Sequence, residues 1–66
     1  MKKIMVTGKQ AYDIGVHTNL YHRNKNNGKF ELIKFDRCFE DYIFIRDIHD
    51  CSIFLREKNI YQLYTK

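Results

Sequence analysis

The sequence predicts a mainly β domain, a small antiparallel sheet or barrel of five to six short strands. Three observations carry that prediction. The last third of the chain, residues 42–64, is dominated by Ile, Phe, Tyr and Leu and broken only at His49-Asp50 and Lys58-Asn59. β-branched and aromatic runs separated by short polar turns are the pattern of a strand meander. Asn27-Gly28 lies between two runs of mixed apolar and polar residues, and Asn-Gly is the strongest short hairpin signal, because both residues adopt positive φ at low cost. Finally, no segment shows an obvious amphipathic helical pattern able to cover a sheet face.

The elements follow in order. Residues 3–7 read as a first strand ended by Gly8. Residues 9–15 fit either one turn of helix or a loop. Residues 16–23 and 29–35 read as the two arms of a hairpin around the Asn24-Lys25-Asn26-Asn27-Gly28 turn. Residues 36–41 read as a polar connection holding Cys38 and Phe39. Strands are then expected over 42–48, 51–57 and 60–65. A short helix within 36–48 is the competing reading: Asp36 is a capping residue, and Cys38, Tyr42 and Ile45 lie at near-helical spacing. The β-branched and aromatic run 42–45 opposes it.

Turn geometry then sets faces. A two-residue loop at Asn27-Gly28 places Asn26 opposite Lys29, Leu20 opposite Phe35 and His22 opposite Ile33. One face collects Val16, Thr18, Leu20, His22, Ile33 and Phe35. The other collects Tyr21, Arg23, Lys25, Phe30, Leu32 and Lys34, which interleaves cations with aromatics. In the meander, two-residue turns at His49-Asp50 and Lys58-Asn59 place Ile43 and Ile45 with Phe54, Tyr61 and Leu63. Tyr42, Phe44, Ile53, Leu55, Ile60 and Tyr64 take the opposite face. Both faces of the meander are then apolar, and one of them needs a cover: a curled barrel, a second copy or a partner.

Composition bounds the function. The 66 residues make one small domain, of a size that buries only about 60% of its unfolded surface, so a partner or an oligomer is a natural source of added stability. Ile, Lys, Asn, Tyr and Phe, all with A/T-rich codons, are prominent and Pro and Trp are absent, a composition associated with low-G+C genomes and with phage or mobile-element accessory proteins. The formal net charge of +4 is unevenly distributed: residues 1–34 carry seven Lys/Arg against Asp13 and Glu31, residues 35–66 five against six acids. No run approaches the roughly 20 apolar residues of a membrane span, and Ile4-Met5-Val6 is too short for a secretory core. A cytoplasmic location (the host cytoplasm for a phage product) with Cys38 and Cys51 reduced is the expectation.

Catalytic and metal chemistry find little footing. His17 and His22 are five residues apart, and on one strand they point to opposite faces. Asp47-Ile48-His49-Asp50-Cys51 combines His, Asp and Cys, but adjacent residues rarely converge on one atom, and Asp50 is a natural turn residue. No C-x-x-C or H-x-x-x-H pair is present for zinc. Thr7-Gly8-Lys9 resembles only the end of a phosphate-binding loop, without its first Gly. The expectation is a protein that is not an enzyme and carries no cofactor and no metal.

Two binding readings remain, with a third beside them. In the first, a phage or mobile-element module binds and inhibits or redirects a host macromolecule, such as a defence nuclease or the transcription machinery, through Tyr42, Phe44, Tyr61 and Tyr64. In the second, the hairpin binds nucleic acid, with Tyr21 and Phe30 stacking on bases and Arg23, Lys25, Lys29 and Lys34 meeting phosphates. In the third, a homodimer completes the core.

Overall fold

The computed structural model describes residues 1–66. Six strands and one helix follow along the chain: β1 (Lys2–Thr7), α1 (Gly8–Gly15), β2 (Leu20–Arg23), β3 (Phe30–Phe39), β4 (Tyr42–Arg46), β5 (Ser52–Arg56) and β6 (Ile60–Thr65). All pairings are antiparallel, in the order β1-β6-β2-β3-β4-β5, and the sheet curls into a half-barrel. The class is the one the sequence predicts. The helix is at 8–15, in the segment that fits helix or loop, and not within 36–48.

Thr7 turns the chain from strand to helix. Its hydroxyl accepts from the Gln10 N–H at 3.1 Å, and the Gln10 side chain accepts from the Thr7 N–H at 3.0 Å. This reciprocal capping satisfies the donors that a helix start leaves open. The Gly8 and Lys9 N–H groups donate to the carbonyls of Asn59 (3.0 Å) and Glu57 (3.2 Å). The first turn is therefore fixed to the 57–59 turn between β5 and β6. Ala11, fully buried, brings the helix against the concave side of the sheet. There it joins Leu20, Ile33, Ile43, Ile45, Leu55 and Leu63, flanked by Ile4, Val6, Tyr12, Phe35 and Tyr61. A short helix thus covers the inner face for which the sequence shows no cover.

The β2–β3 hairpin keeps the expected faces with a different register. Leu20 pairs with Ile33 and Arg23 with Phe30, two residues from the two-residue-loop expectation. The loop is wider because two Asn side chains bond their own backbone: Asn24 accepts from the Asn26 N–H at 2.8 Å, and Asn27 from the Lys29 N–H at 2.9 Å. Only Gly28 there has positive φ, at 70°. A shift of two preserves the alternation, so Leu20, His22, Ile33 and Phe35 face inward and Tyr21, Arg23, Phe30, Leu32 and Lys34 outward. Val16 and Thr18 lie before β2 and are exposed.

Three expectations for the second half are overturned. The expected polar connection at 36–41 is mostly strand: β3 runs on to Phe39, and only Glu40-Asp41 turns, with Glu40 at φ 54°. Its register shifts between Phe35 and Arg37. The extra residue resets the alternation, so Phe35 points inward while Arg37 and Phe39 point outward. Second, β4 and β5 pair Ile43 with Leu55 and Phe44 with Phe54 across a loop of residues 47–51, one residue from the expected register. A shift of one exchanges faces: Ile53 and Leu55 turn inward with Ile43 and Ile45, and Phe54 turns outward with Tyr42 and Phe44. Third, β6 does not pair with β5. It crosses to lie between β1 and β2, leaving β5 and β1 as the two sheet edges.

Asp47 builds the wider loop. Its Oδ1 accepts from the N–H of Cys51 (2.9 Å) and of His49 (2.8 Å). The Cys51 N–H first, and then that of His49, hold this carboxyl below its ordinary value. A carboxyl lowered on folding contributes stability that is present above its unfolded pKa and lost as pH falls through the folded value. Stability is therefore expected to decline below about pH 4. Asp47→Asn keeps the acceptor oxygen without the charge, so it should reduce the acid slope of urea midpoints. Identical slopes for both proteins would show that the charge contributes nothing to the loop.

Candidate binding face

The outward side chains of β1, β6, β2, β3, β4 and β5 form one convex face with two aromatic clusters. The first lies on β2, β3 and β6. Tyr21 is opposite Tyr64, and the Phe30 and Tyr64 rings meet edge-on at 4.9 Å. Arg23 lies over Phe30 at 5.8 Å and Lys66 over Tyr21 at 5.7 Å. Both are within the range at which a ring attracts a cation. The Arg23 guanidinium also donates to the Gly28 carbonyl at 3.3 Å, and the Gln62 amide to the Tyr64 hydroxyl at 2.7 Å. Beside this cluster runs an open polar groove of about 570 Å³, bounded by Arg23, Asn24, Lys25, Gly28, Gln62 and Tyr64.

The second cluster lies on the end of β3 and on β4 and β5. The Tyr42 and Phe54 rings are perpendicular at 5.1 Å, and Phe44 is 6.3 Å from Phe54. Arg37 lies over Phe44 at 5.4 Å and Arg56 over Tyr42 at 5.3 Å. Phe39, opposite Tyr42, is exposed. Leu32 and Lys34 connect the two clusters along β3. Lys34 is opposite Arg46, which makes a two-pronged pair with Asp36 at 3.0 and 3.1 Å. The Arg46 guanidinium holds the Asp36 carboxyl below its ordinary value. Asp36 is the only acid on the strands of this face, and it is paired.

The expected protein-binding residues do not form one patch. Tyr42 and Phe44 sit together with Phe54. Tyr64 belongs to the other cluster. Tyr61 faces inward against the core, with its hydroxyl accepting from the Arg56 N–H at 2.9 Å. The nucleic-acid set fares differently: Tyr21, Arg23 and Phe30 are brought together, Lys34 lies further along the same face, and Lys25 and Lys29 extend from the exposed loop. Sequence reasoning missed Phe54, Arg37, Arg56 and Lys66. Phe54 was hidden by the one-residue register, and Arg37 by the segment read as a connection. The alternation Arg37–Phe39 would have revealed the latter had the bulge been foreseen.

The remaining polar residues are dispersed. His22 is opposite Glu31 on the inner side, 3.2 Å from its carboxylate, and Asn24 donates to the same carboxylate at 3.2 Å. Cys38 and Cys51 are free thiols, both exposed. No three His, Cys, Asp or Glu side chains gather into a metal-sized group. The one helix has eight residues, and no helix is long and apolar enough to cross a membrane. No protein-family model matches the chain, and neither curated proteins nor solved structures gave a match.

Proposed function

We propose that the protein is a non-enzymatic binding module whose convex face takes single-stranded nucleic acid. One observation carries this reading: aromatic and cationic side chains alternate across the whole face, from Tyr64, Tyr21 and Phe30 to Tyr42, Phe44 and Phe54, with a single, paired acid among them. Phosphates need cations and unpaired bases need flat apolar surfaces, so an alternating surface serves both at once. Tyr64 on β6 and Phe54 on β5 are four strand spacings apart in the sheet order, about 19 Å along a flat sheet, a span suited to several unpaired nucleotides. A duplex buries its base faces and has no use for the rings.

The test separates stacking from charge. Phe44→Leu and Phe54→Leu remove a ring and keep an apolar side chain. Each should weaken binding by about 1–3 kcal/mol while leaving the salt dependence unchanged. Lys34→Gln and Arg37→Gln should each lower the salt slope by about one. Full binding by the Leu variants, or an unaltered slope in the Gln variants, removes this reading.

A second reading rests on the Tyr42, Phe44 and Phe54 recess of about 200 Å³. Aromatic side chains flanked by Arg are the residues that dominate protein interfaces. On this reading the chain is a phage or mobile-element accessory protein that blocks a host protein. Salt-insensitive capture of a protein that fails with Phe44→Ala would favour it.

A further inference from the structure

We infer that two copies of the chain pair antiparallel through their β5 edges, about a two-fold axis at Ile53. The Glu57 N–H donates to the Asp41 carbonyl and the Asp47 N–H to the Cys51 carbonyl. Hydrogen-bonding groups alternate along a strand, so odd-numbered residues of β5 point toward β4, and Ser52, Phe54 and Arg56 point to the open edge. Arg56 is already engaged: its N–H donates to the Tyr61 hydroxyl at 2.9 Å, and its carbonyl accepts from the Asn59 N–H at 3.3 Å. Ser52 and Phe54 therefore hold the open edge groups.

Only one self-pairing uses both residues fully. With the axis at Ile53, Ser52 of each copy faces Phe54 of the other, and all four N–H and four C=O groups meet in the geometry of hydrogen-bonded pairs. An axis at Phe54 would set Ser52 against the occupied Arg56. The Ile53 register also aligns charge, because it brings Asp50 of each copy opposite Arg56 of the other. The open edge thus runs from an acidic turn to a basic end, and antiparallel pairing matches the two. At the axis the two Ile53 side chains meet on the inner face. Ile53 is 47% exposed and borders an apolar cavity of about 240 Å³ shared with Ile33, Ile45, Leu55 and Leu63, which the second copy would cover. The other edge, β1, carries Lys2 and Lys3, residues that discourage edge pairing. β5 has no Lys, Pro or bulge.

Sedimentation of the protein alone, without nucleic acid, tests this independently of the binding proposal. In a Cys38→Ser/Cys51→Ser background, Ile53→Cys should oxidise to a covalent dimer, since directly opposed residues at a non-hydrogen-bonded position have Cα atoms about 4.5 Å apart. Ser52→Cys, displaced from its own copy by the register, should not. Asp50→Arg or Arg56→Asp alone should weaken association at least tenfold, and the double variant should restore it. A protein that sediments as a monomer at every concentration overturns the inference. So does a dimer that Ile53→Cys fails to lock, or one in which the double charge variant associates no better than the single ones.

Discussion

Gly8→Ala is expected to unfold the protein. A Cβ at this position would lie 2.2 Å from the Arg56 carbonyl oxygen, 2.9 Å from its carbon and 3.3 Å from the Glu57 Cα. All three are backbone atoms at the end of β5 and cannot rotate away. The helix would have to lift, which stretches the Gly8 and Lys9 hydrogen bonds to Asn59 and Glu57 and withdraws Ala11 from the core. Overpacking typically costs about 1–3 kcal/mol and more against rigid backbone, while a domain of this size holds about 3–5 kcal/mol in all. The sign is diagnostic, because Gly→Ala in a helix otherwise gains about 0.5–1 kcal/mol. Gly15→Ala should be milder: its Cβ would meet the Phe35 ring at 2.2 Å, a side chain that can shift. Circular-dichroism melting of both variants gives the order. A Gly8→Ala protein melting at or above the parent would mean that α1 does not dock as described.

Ile43→Ala should be nearly as damaging, whereas Phe44→Ala should leave the fold standing. Ile43 is fully buried, and truncating such a residue costs about 2–5 kcal/mol once the cavity is included, comparable to the whole stability. Phe44 is the next residue on β4 and points to the convex side, against Phe54 and Arg37. Its loss should spare most of the urea midpoint and weaken ligand binding by about 1–3 kcal/mol. The reverse result, a folded Ile43→Ala and an unfolded Phe44→Ala, would place the wrong face of β4 in the core.

These neighbours show why the fold was more legible than the face. Strand content follows from β-branched and aromatic runs, which are local, and all six strands overlap the segments read as strands, although β2 starts later and β3 runs further than expected. The β2–β3 faces survived a register difference because the shift was even. The β4–β5 faces did not, because the Asp47 side chain widens a turn that His49-Asp50 alone would make two residues long. That single residue moves Phe54 to the face of Tyr42 and Phe44, and Leu55 to the face of Ile43 and Ile45. The helix was obscured by its length: eight residues, with Gly8 and Ala11 the buried ones, are too few for periodicity to separate a helix from a loop. The crossing of β6 was invisible for a different reason. Ile60–Thr65 has a partner on each side, β1 and β2, and no local pattern distinguishes distant partners from the preceding strand. Half of the candidate site, Tyr21, Arg23 and Phe30, was read from a hairpin. The other half needed the bulge after Phe35 and the correct turn at 47–51.

The central claim is that the convex face binds unpaired nucleotides through rings and cations together. Fluorescence anisotropy with labelled single-stranded and duplex DNA and RNA, at about 50 and 200 mM salt, tests it most directly. The account predicts tight binding to single strands at the lower salt, a clear preference over duplex, and a loss of orders of magnitude at the higher salt. No binding at about 50 mM salt, or binding indifferent to salt, would contradict it.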